Sequence, residues 1–124
     1  MGEVYKIFVP NWRPVRDNQL TGAHHFTKHR LKRGDAEMVT AYARMADIPR
    51  ATTKRRVWLE ITLVGRQREC DPLSFAKSTL DALKLCGMLV DDNSKWCDPL
   101  SPFARYNRNG EAGTTIVLED IEEV

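Results

Sequence analysis

The sequence predicts an α+β fold in which a small mixed β-sheet of about four strands is covered by two helices. Three observations support this prediction. Apolar residues alternate along 55–64 and again along 113–120, as they do in strands with one buried face. Between these segments, residues 71–86 carry the signals of a capped amphipathic helix. The 124 residues suffice for one domain, 1–124, with one modest core.

The first part of the chain predicts a strand, a long loop and a helix. Val4–Val9 is apolar enough for a first strand, which Pro10 ends. Residues 10–27 contain several proline, asparagine and glycine residues, so they predict a loop. A helix is expected over 35–46, because apolar residues recur there at helical spacing and Asp35 can act as its N-cap.

The second part predicts three further strands and a second helix. Arg55–Val64 has the clearest strand alternation in the chain. The following helix is expected to begin at an Asp-Pro pair, run over Asp71–Cys86 and end at Gly87. Two prolines should keep any strand within 95–108 irregular or at an edge of the sheet. Gly113–Asp120 predicts the last strand.

The charges of the chain are unevenly distributed, although the formal net charge is only +2. Basic residues are concentrated in 12–33 and 50–68, and acids in 91–98 and 119–123. Such separation suits a polyanionic partner, because each neutralised phosphate releases counterions. An ordinary solvated surface explains the same pattern, and charge alone does not decide between the two.

Cysteine usage and hydropathy indicate a cytoplasmic protein that does not enter a membrane. Three cysteines at wide spacings favour neither a disulfide framework nor a zinc site. No apolar run approaches the ~20 residues needed to cross a bilayer, and the first residues lack the apolar segment of a signal peptide. We therefore expect reduced thiols and a cytoplasmic location.

Carboxylates at both ends of the second helix raise the possibility of a metal site. Asp71 lies at its predicted start, Lys77 in its first half, and Asp91 and Asp92 just after its end. Mg²⁺ prefers carboxylate oxygens, and phosphodiester hydrolysis uses such ions to polarise the phosphate and activate water. Taken singly, however, Asp71 can be a simple helix cap and Asp91-Asp92 part of a turn.

The segment 71–92 resembles the signature of the RusA family of Holliday-junction resolvases. That signature is D-x-D-N-x-x-K, followed by D-A-L, a glycine and D-D. Lys77, Asp81-Ala82-Leu83, Gly87 and Asp91-Asp92 match it without a gap. A preceding basic run and a closing strand after a glycine agree as well. Detailed agreement covers about a quarter of the chain.

The resemblance implies a RusA-like α+β endonuclease that binds four-way DNA junctions and nicks them symmetrically as a homodimer. It further implies catalysis with Mg²⁺, for which Mn²⁺ can substitute. Carried over by position, Asp71, Lys77 and Asp92 are the catalytic residues, and Asp71, Asp91 and Asp92 are metal ligands. A two-fold dimer suits a reaction that makes two symmetric cuts.

One acidic position of the signature is missing, because Leu73 stands where the second acid is expected and Ser74 where the asparagine is. Leucine cannot bind a hard cation. Glu69 is the natural replacement ligand, since residues two apart share a face where the chain is extended. The alternative is a weakened or inactive RusA-like protein that retains DNA binding.

Basic residues near the predicted site are candidates for DNA contacts. They belong to the loop after the first strand, to the run before Asp71 and to the second helix. The candidates are Arg13, Arg16, Lys28, Arg30, Arg66, Arg68 and Lys77.

Three hypotheses therefore remain. The chain is a branched-DNA endonuclease, a non-enzymatic DNA-binding protein on the same scaffold, or an α+β interaction protein with a coincidental resemblance. Binding of a divalent metal separates the first from the second, and salt-dependent DNA binding separates both from the third.

Overall fold

Where the structure describes the chain, it forms one mixed β-sheet and two helices, which confirms the predicted α+β fold. The computed structural model describes residues 2–10, 25–63, 76–101, 103–106 and 112–121. Along the chain the elements are β1 (Val4–Pro10), α1 (His25–Met45), β2 (Arg55–Leu63), α2 (Ala76–Leu85), β3 (Cys97–Pro99), β4 (Phe103–Tyr106) and β5 (Gly113–Asp120). The predicted helix start at Asp71 lies outside the described residues.

The sheet has four strand positions, in the order β1-β5-β2-β3, with β4 also paired to β2. β5 is antiparallel to both of its neighbours, so that Leu118 lies between Tyr5 and Val57. On its other side β2 pairs in parallel with two short strands. β3 pairs with the first part of β2, with Arg55 opposite Cys97, and β4 pairs with the last part, with Glu60 opposite Phe103. The edge is thus broken between β3 and β4, as its prolines predict. Parallel pairing requires a crossover, which α2 provides between β2 and β3.

Alternation along the strands places both helices on the same face of the sheet. β2 buries Val57, Leu59 and Ile61, as predicted from its sequence. The helices add side chains to the same continuous core. The buried apolar residues of this core are Ile7, Val9, Val39, Ala43, Val57, Leu59, Ile61, Ala82, Leu83, Met88, Leu89, Cys97, Ile116 and Leu118.

The opposite face of the sheet carries a second, smaller set of apolar residues. Val4 and Phe8 are exposed on it, whereas Val117 in the central strand is buried. In register, Val117 lies between Lys6 and Trp58. Long neighbouring side chains on the same face can cover a central strand in this way.

Helix α1 is longer than predicted, because it begins at His25 rather than near residue 35. Residues 25–27 were assigned to a loop, and this assignment is wrong. Asp35 is not an N-cap: it lies inside the helix and is buried, on the same side as Val39 and Ala43. Gly34 also lies inside the helix, at a position open to solvent, and tertiary packing overrides the roughly 1 kcal/mol that glycine costs in a helix.

Both helices end in the same hydrogen-bonded motif, the Schellman motif. In α2 the amides of Gly87 and Met88 donate to the carbonyls of Lys84 and Leu83, at 3.3 and 2.9 Å, and Gly87 has φ +82°. This confirms Gly87 as the stop of the helix. In α1 the amides of residues 47 and 48 donate to the carbonyls of residues 44 and 43, at 3.1 and 3.0 Å. The left-handed position there is Asp47, with φ 60°.

Arg55 is a buried structural residue that ties the sheet to the loops beside it. Its side chain is 1% exposed, and its Nε lies 2.7 Å from Oδ1 of Asp120. Its Nη atoms donate to the carbonyls of Met88 and Pro49, at 3.1 and 3.0 Å, and the guanidinium lies 5.1 Å from the ring centre of Tyr5. Each of the three guanidinium nitrogens therefore has a protein acceptor, and the group also lies over an aromatic ring.

Candidate functional site

The structure describes part of the predicted site. Lys77 is an exposed residue in the first turn of α2, and Asp91 and Asp92 lie in the turn that follows this helix. The other two predicted metal ligands, Glu69 and Asp71, lie outside the described residues. Convergence of all these groups in one cleft therefore stays a prediction.

Helix α2 holds its charged residues on the side away from the core. Lys77, Asp81 and Lys84 are separated by four and three residues, so they share one side of the helix. Lys77 and Lys84 are two turns apart, a rise of about 10 Å. The opposite side buries Ser78, Thr79, Ala82 and Leu83. Packing of that side fixes the direction in which the lysines face.

The turn after α2 is built around Asp91 and Asn93. Oδ1 of Asp91 accepts the amide of Asp92 at 2.8 Å, and its Oδ2 accepts Nδ2 of Asn93 at 3.3 Å. The carbonyl of Asn93 accepts the amides of Trp96 and Cys97, at 3.0 and 2.9 Å. The amide of Lys95 also donates to Oδ1 of Asn93 at 3.1 Å, an Asx-type hydrogen bond that stabilises the turn locally. The simple turn interpretation of Asp91 is therefore correct at least in part.

An ion pair fastens this turn to the end of α2. Nζ of Lys84 lies 3.3 Å from Oδ1 of Asp91. The hydrogen bond from the Asp92 amide and the pairing with Lys84 hold the pKa of Asp91 below its usual value. The same contact with Asp91 raises the pKa of Lys84. Both shifts favour the charged forms, so Asp91 is a carboxylate at neutral pH.

Asp92 is the more available of the two acids. Its backbone amide is fixed by Asp91, whereas the residue as a whole is exposed. Carboxylate oxygen is suitable chemistry for Mg²⁺ or Mn²⁺. Among the residues that the structure describes, however, no three histidine, cysteine or acidic side chains are grouped closely enough to hold a metal ion. Asp91 and Asp92 fit the ion as ligands only if further acids join them.

The basic residues separate into structural and exposed groups. Arg55 is buried, and Arg56 pairs with Asp98 and Glu119, so this part of the basic run 50–68 serves the fold. Arg30 is exposed on α1, whereas the side chain of Lys28, in the same helix, is not among those described. The predicted DNA contacts Arg13, Arg16, Arg66 and Arg68 lie outside the described residues.

Sequence reasoning missed one arrangement of charges. Arg30, Arg33 and Arg44 are all exposed on α1 and recur on one side of it, and Arg50 follows shortly after the helix. Helical spacing was the available signal, but it is recognisable only once the helix is known to begin at His25. The arginines had instead been divided between a loop and a helix.

Comparison with other proteins does not add to these observations. The sequence matches no protein-family model, and a search of curated proteins finds no significant match. Among the described residues, neither helix is both long and apolar enough to cross a membrane. The candidate site is therefore interpreted from its own residues and from the resemblance in segment 71–92.

Proposed function

We propose that this protein is a Mg²⁺-dependent endonuclease that resolves branched DNA. The observation that carries the proposal is that some residues of the RusA-like signature serve the fold, whereas its charged residues are exposed. Ala82 and Leu83 are buried in the core, and Gly87 has the left-handed backbone of a helix end. Lys77 and Asp92, by contrast, are exposed, and the core does not require them. The two charged residues of the signature are therefore in contact with solvent, where a metal ion and a phosphate could reach them, which supports the role that the resemblance implies.

Roles follow from the chemistry of these side chains. A metal held by Asp92, Asp91, Asp71 and Glu69 would supply polarisation of the phosphate and an activated water. Lys77 contributes a positive charge that binds the phosphate and stabilises the charge developing on it. Lys84 neutralises Asp91 and so limits repulsion between neighbouring carboxylates.

A homodimer is part of the proposal, because two symmetric nicks require two sites related by a two-fold axis. Several large apolar side chains are exposed on the chain, which is compatible with a partner surface. The most exposed are Met45 at 78%, Leu85 at 63%, Val4 at 47% and Leu100 at 45%.

The second candidate is a DNA-binding protein with weakened or lost catalysis. Leu73 removes one acid from the signature. In addition, both oxygens of Asp91 are engaged by hydrogen bonds within its own turn. Asp91 is also paired with Lys84, so a metal ion would have to compete with an existing positive charge for this carboxylate.

Cleavage of a synthetic four-way junction, beside a linear duplex of the same sequence, tests the proposal. We expect cleavage of the junction with Mg²⁺ or Mn²⁺ and none with EDTA. Asp92→Asn should abolish cleavage, and Lys77→Met should slow it by about 10²–10³-fold. Glu3→Gln, which removes an exposed acid just before β1, is the matched control and should cleave normally.

Two further variants decide how the missing acid is replaced. If Glu69 is the replacement ligand, Glu69→Gln should abolish cleavage while junction binding persists. Full activity of Glu69→Gln rejects that idea. An inactive wild type that Leu73→Asp rescues identifies a weakened nuclease. Tight junction binding without cleavage in any variant leaves the second candidate.

A further inference from the structure

The C-terminal ends of the two helices form a notch that the proposed chemistry does not use. The notch is a cavity of about 380 Å³. Its lining comes from the last turns of α1 and α2 and from the segments that follow them, and it includes Thr40, Arg44, Arg50, Leu85 and Cys86. Among the described residues that line it, none is acidic.

Arg50 is held in place in this notch by Gly87. A Cβ atom at position 87 would lie 2.6 Å from Nε and 2.8 Å from Nη2 of Arg50, so the guanidinium rests directly against the glycine backbone. The amide of Ala51 donates to the carbonyl of Gly87 at 2.9 Å, which anchors the chain next to Arg50. A restrained guanidinium loses less conformational entropy when it binds an anion.

The charge in the notch is positive despite the two helix ends. A helix C-terminus carries roughly −0.5 elementary charge, and part of this is offset because capping amides occupy the last carbonyls of both helices. Arg44 and Arg50 together bring two full positive charges. Burial raises the pKa of the Cys86 thiol, so this residue adds no negative charge at neutral pH. An anion is therefore favoured there.

The notch also continues the exposed arginines of α1. Arg30, Arg33 and Arg44 share one side of the helix and are interrupted by a single described acid on that side, Glu37. Arg30 and Arg44 are separated by a rise of about 21 Å, the length of roughly six nucleotides of one DNA strand. The spacing suits a ligand with repeated negative charges better than a single small anion.

We propose that Arg44 and Arg50 form a phosphodiester-binding notch that holds the DNA backbone at one end of the arginine row on α1. The identity of the nucleic acid rests on the proposed function, whereas the phosphate chemistry rests on the notch itself. Arg50, fixed by Gly87, supplies a preorganised fork for phosphate oxygens. Arg44 closes the notch from the last turn of α1.

The salt dependence of DNA binding tests this site. Fluorescence anisotropy of a labelled four-way junction would be measured over a range of salt concentrations, for wild type, Arg44→Gln, Arg50→Gln and the double variant. Each substitution should lower the affinity about tenfold and reduce the slope of log K against log salt by about 0.9, and the double variant by about 1.8. Lys6→Gln, on the opposite face of the sheet, is the control and should keep the wild-type slope.

A second pair of variants protects the test against loss of folding. Thr40→Glu introduces a negative charge at a residue that lines the notch, and Ser101→Glu does the same at an exposed position outside it. Only Thr40→Glu should weaken binding. Arg50→Lys keeps the charge and should keep most of the slope. Melting temperature and mass by light scattering are recorded for every variant.

The outcomes separate this site from the proposed nuclease activity. A double variant with the wild-type slope, or equal effects of Thr40→Glu and Ser101→Glu, overturns the notch while junction cleavage stands. A slope that depends on Arg44 and Arg50 in a protein that never cleaves DNA supports the notch and overturns the nuclease. A wild type that binds no DNA overturns both.

Discussion

Arg55 and Arg56 are adjacent residues of β2 with the same side chain and opposite surroundings. Arg55 points into the core face and is 1% exposed, with Asp120 and two backbone carbonyls as partners. Arg56 points to the other face, is 40% exposed and pairs with Asp98 and Glu119. Buried ion pairs are costly to break from one side, whereas exposed pairs contribute little.

Replacing these arginines one at a time measures that difference. Arg55→Met should lower the free energy of unfolding by about 3 kcal/mol, because Asp120 and two carbonyls lose their donor. Arg56→Met is the matched control and should cause a much smaller loss. Urea denaturation gives both values. Equal losses would show that the burial of Arg55 does not determine its contribution.

The sequence contains the signal that separates these residues, but its meaning depends on the sheet. Arg55 has the same parity as Val57 and Leu59, which predicts the buried face. A charged residue at the start of a strand is, however, usually solvated. Its burial requires Asp120, which is 65 residues away and adjacent only because β5 pairs with β2. A contact between residues so far apart in sequence cannot be recognised from the local alternation of residue types.

At the scale of elements, the two helices end in the same motif with different residues at its left-handed position. α2 has Gly87 there, with φ +82°, and α1 has Asp47, with φ 60°. Glycine adopts this conformation without steric cost, whereas other L-residues do so at a cost of about 1–2 kcal/mol. Ile48, which follows Asp47, packs against the core and helps to hold the end of α1.

Substitutions at these two positions should change stability in opposite directions. Asp47→Gly should raise the free energy of unfolding by about 0.5 kcal/mol, since backbone strain is removed. Gly87→Ala should lower it by about 1–2 kcal/mol, because the new Cβ is also opposed by Arg50. Denaturant titration with unchanged m-values provides the measurement. A destabilised Asp47→Gly would indicate that the aspartate side chain stabilises the helix end.

Element boundaries were predictable where a stop signal is local, and not elsewhere. Gly87 and the alternation of β2 and β5 specify their structures within a few residues. The start of α1 was misplaced because Asp35 has the chemistry of an N-cap. In the structure it is covered by neighbouring elements, as are Val39 and Ala43 one and two turns further on. Only the packed arrangement distinguishes a buried aspartate from a capping one.

At the scale of the whole molecule, the helices cover one face of the sheet and leave Val4 and Phe8 exposed on the other. Met45 and Leu85, the last residues of the two helices, are also exposed. Monomers seldom expose large contiguous apolar patches unless these serve a partner, and Val4 and Phe8 lie on the same face of β1. The proposed symmetric cleavage offers a reason for such a partner to be a second copy.

Light scattering at micromolar concentration should therefore report twice the 14.2 kDa mass of one chain. The mass should fall toward that of the monomer on dilution, because dimer formation depends on concentration. Addition of salt distinguishes the two kinds of contact. An apolar interface persists at high salt, whereas charge-mediated association weakens. A constant monomer mass over the whole series contradicts the dimer.

The site could be predicted from sequence only as a set of residues. Lys77 and Asp92 were singled out by the resemblance of segment 71–92 to the RusA signature, and the structure describes both as exposed. The engagement of Asp91 with Lys84 was not foreseen, because it depends on how the turn folds back against α2. The notch at Arg44 and Arg50 arises from the meeting of two helix ends, which no single segment specifies.

The position of β5 has a consequence for how the protein is made. β5 is the last of the described strands, yet it lies between β1 and β2 and joins them. Ribosomes add about 5–20 residues per second, so β2 waits several seconds for its antiparallel partner. During that time its apolar residues have only α1 and later α2 to cover them. Nascent chains of this protein are therefore most exposed to aggregation just before residues 113–120 emerge.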